Sequence, residues 1–300
     1  MRAYRLAYDG RDYFGFQRQP DVATIEDALF DALRALDAYR PAAASTSASD
    51  SQSAGPVPDR PQGYAAAGRT DAGVSALAQT VAFDAPEWLT PRALNAELPA
   101  EIRAWASADV PDSFHATHDA TARTYTYHLY APPESRNDRR RGRLAAADER
   151  RVDDALFHEA LDGLSGHNDY HNLTPDDEGT ERTLSLAADR GGDVLTVTVQ
   201  AGGFARQLVR RLVTLLHRVG TGEAPLEKID RVLAAESLPG HGGIPPAPPE
   251  PLVLADVTYP DTEFAVDDEA ATSARHVFEQ RRIDREVGSR VAGQLRDGVR

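Results

Sequence analysis

The chain has 300 residues, and its 33 Lys+Arg against 47 Asp+Glu give a formal net charge of −14 at neutral pH. It contains no cysteine, which excludes disulfides, thiolate metal sites, iron–sulfur clusters and cysteine nucleophiles. No uninterrupted apolar run reaches the about 18 residues that a bilayer span needs, and the charged N-terminus lacks the apolar core of a secretory signal, so we expect a cytoplasmic protein without a membrane segment.

The first half of the chain combines strand and helix patterns. Residues 2–8 alternate Tyr and Leu with Ala and Arg, which predicts a half-buried strand. After Thr24 apolar residues recur at helical spacing, and Thr24 with Asp27 offers a capping-box start. Residues 41–63 are rich in Ala, Ser, Pro and Asp without periodicity, which predicts a flexible insertion without function. Further strands are predicted at residues 81–83 and 125–130, and a short helix is predicted to begin at Thr90-Pro91.

The second half repeats this mixture. Residues 152–164 have helical periodicity, and residues 195–199 and 252–259 alternate as strands do. Residues 204–219 are predicted to form a long amphipathic helix whose apolar face begins at Phe204. The mixture favours an α+β fold in which helices cover antiparallel sheets.

The patterns also suggest where the chain divides. We expect an N-terminal α+β subdomain over residues 1–108 and a C-terminal one over residues 109–260. Residues 261–300 are rich in Asp, Glu, Arg and Gln, so we expect a peripheral helical or partly disordered tail without a chemical role.

The basic residues are distributed unusually. Lys228 is the only lysine, which nearly excludes lysine-based catalysis. High acidity with almost no lysine is typical of a surface kept hydrated in concentrated salt, so we predict a halophile's protein. The alternative is an acidic protein from a high-GC genome in ordinary salt. Acidity alone disfavours a nucleic-acid partner.

The densest chemical motif is Gly-Arg-Thr-Asp-Ala-Gly-Val at residues 68–74. Its glycines permit a sharp turn and close approach of a ligand to the backbone, so that Asp71 can be presented to a substrate. An ordinary Asp-Gly turn with a surface Arg–Asp pair is the simpler interpretation of these seven residues alone.

This loop resembles the signature of the TruA-type tRNA pseudouridine synthase family, and four more segments follow in that family's order. These segments are Tyr8-Asp9-Gly10 with Phe14-Gly15-Phe16-Gln17, Phe114-His115-Ala116 with Arg123-Thr124-Tyr125-Thr126-Tyr127, Phe204 to Val213 with Val219-Gly220, and Ala247-Pro248-Pro249. The chain departs from the family at Ser75, where His is usual, at Pro251, where Gly is usual, and at residues 168–170, where His-Asp-Phe is usual.

The resemblance implies an isomerase that converts uridine to pseudouridine in tRNA, on the 3′ side of the anticodon stem-loop at position 38, 39 or 40. It implies two RRM-like (ferredoxin-like) subdomains that share one mainly antiparallel sheet, with the active site in a cleft between them. It also implies a homodimer, with neither a metal nor another cofactor.

The resemblance further assigns residues to roles. Asp71 corresponds to the essential carboxylate. Three roles are open to it, namely attack on the base, attack on the sugar and abstraction of a sugar proton. Arg210 corresponds to the arginine that pairs with it, and Tyr125 to the tyrosine that stacks on the uracil, whereas Tyr127 is expected in the core. The residues expected to bind substrate are Arg69, Arg123, Gln17 and Tyr125.

Three other clusters have competing interpretations. The groups at residues 167–171 and 115–119 contain histidines and an aspartate, but their donors are crowded, so we predict turns and loops and no metal. Five arginines at residues 136–143 are either a phosphate-binding patch or a solvated hairpin tip.

Two rival functions are considered beside the isomerase. One is a metal-dependent phosphohydrolase that uses Asp and His, and the other is a catalytically silent RNA-binding module.

Overall fold

A computed structural model describes residues 1–38, 60–134 and 151–299. The chain folds into two units: unit 1 comprises Met1–Arg69, Ala76–Asp119 and Pro260–Arg300, and unit 2 comprises Thr70–Ser75 and Ala120–Tyr259. The division after Asp119 lies beyond the boundary expected at residue 108, and the expected tail belongs to unit 1. Most of the expected insertion at residues 41–63 lies outside the described residues.

Unit 1 has a ferredoxin-like order of elements. Numbered along the whole chain, the elements of unit 1 are β1 (Arg2–Tyr8), α1 (Ile25–Ala35), β2 (Ala65–Ala66), β3 (Ser75–Phe83), α2 (Pro91–Asn95), β4 (Ile102–Asp109), β10 (Ala265–Val266) and α6 (Asp268–Gly298). The strands pair in the order β10-β4-β1-β3-β2, and every pair is antiparallel. Without β10 and α6, the chain order is β-α-β-β-α-β, which defines this motif.

Local signals explain where the first elements begin. The hydroxyl of Thr24 accepts the N–H of Asp27 at 3.2 Å and donates to its carboxylate at 2.7 Å, so α1 begins where its cap predicts. The β1 strand is confirmed, but it is buried on both faces rather than one. Its Arg5 is buried, and the guanidinium carbon lies 4.4 Å from the ring centroid of Phe264, a cation–π contact.

The long helix α6 is attached to unit 1 by alanines and ion pairs. Three small residues near its start are buried, Ala270, Ala271 and Ala274. Farther along, Arg281 donates to Asp9 at 2.9 Å and to Glu101 at 2.6 Å, and Arg285 also pairs with Asp9. This segment therefore packs as a helix despite its low apolar content, and beyond Arg285 most of its residues are exposed. No helix in the described ranges is long and apolar enough to cross a membrane.

The elements of unit 2 are β5 (Ala122–Tyr130), α3 (Asp154–Leu164), β6 (Gly166–Asp169), β7 (Glu181–Gly191), β8 (Val194–Ala201), α4 (Leu208–Gly220), α5 (Lys228–Leu233) and β9 (Leu252–Thr258). Unit 2 repeats the β-α-β-β-α-β order, with β6 and α5 added. Its strands pair antiparallel in the order β9-β5-β8-β7-β6, so the expected α+β class is confirmed. Helices α3 and α4 pack on the sheet, and their shared core includes Phe157, Val197 and Leu212.

Helix α4 begins later than its periodicity predicts. The helix starts at Leu208 because Gln207, with φ of 60°, adopts the left-handed conformation. The prediction that Phe204 belongs to this helix is therefore wrong. Phe204 precedes the helix and contacts a β5 tyrosine instead.

Candidate active site

Asp71 lies on a tight turn between two buried residues. The N–H of Val74 donates to the carbonyl of Asp71 at 3.1 Å, and both Thr70 and Val74 are buried. Gly73 has φ of +80°, and a Cβ there would lie 3.0 Å from Pro249 Cγ, so the turn requires glycine at this position. The Asp71 side chain itself is 40% exposed. The turn thus presents a carboxylate that a substrate can reach.

Arg210 holds this carboxylate from the first turn of α4. Its Nη1 donates to Asp71 Oδ2 at 3.0 Å, and its side chain is only 14% exposed. Its Nε donates to the carbonyl of Ala247 at 2.6 Å, and the N–H of Ala247 donates back to the carbonyl of Arg210 at 3.1 Å. Because the backbone and Nε of Arg210 are both fixed, Nη1 is aimed at Asp71.

The segment over residues 247–249 organises both sides of the pair. Ala247 binds Arg210, Pro249 packs against Gly73, and the carbonyl of Pro248 accepts the hydroxyl of Tyr127 at 3.1 Å. Tyr127 is 2% exposed, so its expected place in the core is confirmed.

Tyr125 lies near Asp71 on β5. Its ring meets that of Phe204 edge to face, with centroids 5.2 Å apart and an interplanar angle of 87°. Burial, followed by the negative charge of Asp71, raises the pKa of Tyr125 to about 12. The phenol is therefore neutral at physiological pH and lies within electrostatic range of the carboxylate.

The other three residues expected to bind substrate differ in exposure and in their contacts. Gln17 and Arg69 are exposed and belong to unit 1. Arg123 lies on β5, where its Nη1 donates to the carbonyls of Gly202 at 2.5 Å and Ala120 at 3.3 Å. Burial lowers the pKa of Arg123. In the structure this arginine braces the end of its strand.

The histidine clusters have local partners. Asp169 Oδ2 lies 3.1 Å from Nδ1 of His171, and the carboxylate of Asp119 accepts the backbone N–H of His115 at 2.8 Å. Within the described part of the chain, no group of three or more His, Asp or Glu side chains could hold a metal ion. The arginines at residues 136–143 lie outside the described residues.

Some residues to which the sequence analysis gave no role contact Gly68 or Tyr125 or lie just before α4. Gln79 is buried and donates to the carbonyl of Gly68 at 2.9 Å, which fixes the start of the signature segment. Phe204 supports Tyr125, and Arg206 pairs with Asp176. Of these residues, only Gln79 leaves a signal in the sequence, because it is a polar residue in the middle of an otherwise largely apolar strand pattern.

Comparison with known proteins identifies the family. A family model described as tRNA pseudouridine synthase matches residues 160–260. The chain is 53% identical to tRNA pseudouridine synthase A of Haloarcula marismortui over the full length of both chains. It is 56% identical to the protein of that name from Natronomonas pharaonis and 50% identical to the one from Halobacterium salinarum, with 98% of each chain covered in both cases. These relatives come from halophiles, as the acidic composition predicts. The chain belongs to the tRNA pseudouridine synthase A family.

Proposed function

We propose that this protein is an isomerase that converts uridine to pseudouridine in tRNA, and that Asp71 is the carboxylate that acts on the target nucleotide. The reaction breaks the bond between N1 of uracil and C1′ of ribose, turns the uracil, and joins C5 to C1′. No electrons are gained or lost and no group is transferred to another molecule. The reaction therefore needs a carboxylate that can act as a nucleophile or stabilise positive charge at C1′.

The ion pair between Asp71 and Arg210 carries this proposal. An arginine at 3.0 Å favours the ionised carboxylate and limits the directions in which it can point. Because the Asp71 side chain is 40% exposed while Arg210 is mostly buried, the carboxylate is open on one side and held on the other. This arrangement suits a group that must touch a substrate.

Tyr125 supplies an aromatic surface for the displaced uracil. An enzyme that acts on a base in a folded RNA must take that base out of its stack, and aromatic side chains then hold it. Phe204 contacts the Tyr125 ring at 5.2 Å between centroids, which limits how far the ring can rotate. We assign stacking to the ring and no proton transfer to the hydroxyl.

The finer assignments also belong to the proposal. The target is a uridine at position 38, 39 or 40 of the anticodon stem-loop, and Arg69, Arg123 and Gln17 contribute to substrate binding. The protein works in the cytoplasm as a homodimer. Light scattering, which measures its mass in solution, would test the dimer. These assignments rest on the resemblance of the motifs that contain them.

Primer-extension mapping of pseudouridine in tRNA treated with the purified protein tests the function. After carbodiimide treatment, which leaves a bulky adduct on pseudouridine, tRNA incubated with the wild-type protein should give stops at one or more of the three positions, and Asp71→Asn should give none while still binding tRNA. Asp84→Asn is the matched control, because Asp84 is an exposed aspartate in unit 1, and it should modify tRNA normally.

The same experiment separates the rival functions. A catalytically silent RNA-binding module would leave tRNA unmodified in every sample. A metal-dependent phosphohydrolase would lose its activity when a chelator is added, whereas pseudouridine formation should persist. Pseudouridine formation by Asp71→Asn at the normal rate would refute the catalytic assignment.

A further inference from the structure

A closed hydrogen-bond network fixes Arg206 just before α4. Its backbone N–H donates to Asp176 Oδ2 at 2.7 Å, and its Nε donates to Asp176 Oδ1. The hydroxyl of Thr174 donates to the carbonyl of Arg206 at 3.0 Å and accepts the N–H of Asp176 at 3.1 Å. Thr174 is 1% exposed, so the network is anchored in the interior of unit 2.

This network leaves one edge of the guanidinium available. Asp176 occupies the backbone N–H and Nε of Arg206, whereas the two terminal amino groups form no hydrogen bond with any residue in the described ranges. The Arg206 side chain is 69% exposed. Two parallel N–H donors are thus held in a defined direction and remain open to a ligand.

Arg206 also precedes the arginine that binds Asp71. It precedes Arg210 by four residues, and Arg210 binds Asp71. The hydrogen bond and the charge of Asp176 raise the pKa of Arg206, and Asp71 adds a smaller contribution. Arg206 and Arg210 therefore belong to one short segment of unit 2, and Arg210 binds the carboxylate proposed to act on the target nucleotide.

We propose that Arg206 binds a backbone phosphate of the tRNA beside the target uridine, and that Asp176 and Thr174 are positioning residues that aim it. The inference rests on the proposed function, because a nucleotide whose base reaches Asp71 carries phosphates on both sides of its ribose. The free edge of an arginine matches two phosphate oxygens at once, which an ammonium group cannot do.

The ion pair with Asp176 is compatible with phosphate binding by Arg206. Asp176 weakens the long-range attraction of Arg206 for RNA, but in about 1 M salt that attraction is screened beyond about 3 Å. What remains is contact hydrogen bonding, which depends on the direction of the donors. Burial opposes ionisation of Asp176, but the hydrogen bonds from Arg206 outweigh it and lower the pKa of Asp176, so the pair persists at neutral pH.

The salt dependence of tRNA binding tests the proposal. The dissociation constant is measured by filter binding over a fourfold range of KCl concentration for the unmodified protein and its variants. Arg206→Ala should weaken binding about tenfold, and it should lower the slope of log affinity against log salt by about 0.7–0.9, the value of one phosphate contact. Arg206→Lys keeps the charge and should restore the slope with weaker affinity.

Two controls distinguish phosphate binding from a structural effect. Asp176→Ala breaks the same ion pair but keeps the cation, so it should weaken tRNA binding because Arg206 is no longer aimed, while its slope should fall less than that of Arg206→Ala. Arg282→Ala removes an ion-paired arginine of similar exposure, 63%, from α6 in unit 1, and its slope should be unchanged. If Arg206→Ala does not fold, Arg206→Gln removes the charge and takes its place.

An unchanged slope for Arg206→Ala would overturn the proposal. An equal change for Asp176→Ala or Arg282→Ala would also overturn it, because loss of the ion pair or of net charge would then explain the result. The readout is binding and not turnover. It therefore fails independently of the proposed function, which fails if Asp71→Asn forms pseudouridine.

Discussion

Removing the guanidinium of Arg210 should slow the reaction without preventing folding or tRNA binding. Arg210→Ala deletes the 3.0 Å contact with Asp71 and the 2.6 Å contact with the Ala247 carbonyl. A hydrogen bond between charged groups contributes about 1.5–3 kcal/mol, and about 1.4 kcal/mol corresponds to a tenfold change in rate. Because Asp71 is 40% exposed, solvent screening favours the lower part of this range. We expect turnover to fall about 10- to 40-fold.

The assay is single-turnover pseudouridine formation at saturating tRNA, with Arg211→Ala as the matched control. Arg211 is the next residue of α4, and its Nη1 donates to the carbonyl of Ile244 at 2.5 Å. It therefore braces the chain three residues before Ala247, and its hydrogen bonds go to Ile244 and Gln207 rather than to Asp71. Arg211→Ala should lower the melting temperature and leave the single-turnover rate of the folded protein within about threefold of normal. Equal losses of rate in both variants would show that bracing of the segment, and not the contact with Asp71, limits the reaction.

The remaining predictions concern the ring, the turn, α6 and salt. Tyr125→Phe should keep most of the turnover, whereas Tyr125→Ala should lose the stacking on the uracil, which contributes about 1–3 kcal/mol. Equal losses of turnover in the two variants would assign the role to the hydroxyl. Because the pKa of Tyr125 is raised to about 12, ionisation of Tyr125 should not contribute to the pH profile below about pH 11. Gly73→Ala should destabilise the protein by about 1–3 kcal/mol in thermal unfolding, since φ is +80° and Pro249 is in contact; unchanged stability and turnover would contradict this. Arg281→Ala should lower the free energy of unfolding in denaturant by about 1–3 kcal/mol, because Asp9 is buried; a loss below about 0.5 kcal/mol would show that the pair is not stabilising. Turnover should be greatest in molar KCl, and a steady decline above physiological salt would refute the halophile interpretation.

Several elements of the two units were predictable because their signals are local, whereas the two ferredoxin-like units were implied only by the family resemblance. Alternation in β1, the Thr24 cap and the spacing of apolar residues along α4 each depend on a few neighbouring residues. The pairing of Asp71 with Arg210 joins residues 139 positions apart. No local pattern predicts such a contact, and only the resemblance of the surrounding motifs implied it.

Other features depended on contacts that no pattern reveals. Residues 261–300 were expected to form a peripheral tail because charged residues and Gln dominate their composition. Alanines and the pair of Arg281 with Asp9, 272 positions away, nevertheless hold α6 in place. The apolar spacing that begins at Phe204 continues into α4 and hides the left-handed Gln207 between them. The pair of Arg206 with Asp176 joins two charged residues that resemble ordinary surface groups in the sequence.

The near absence of lysine is consistent with the way cations act in this site. Arg210 uses Nε to hold a backbone carbonyl and Nη1 to hold Asp71, and Arg206 uses Nε for Asp176 while its outer edge stays open. An ammonium group has no second edge, so it could not be aimed by one partner while it binds another. In concentrated salt the long-range field of a point charge is screened within a few ångströms, whereas a directed pair of donors still acts at contact distance. An acidic protein can therefore bind a polyanion through a small number of arginines, provided that its own carboxylates fix their direction.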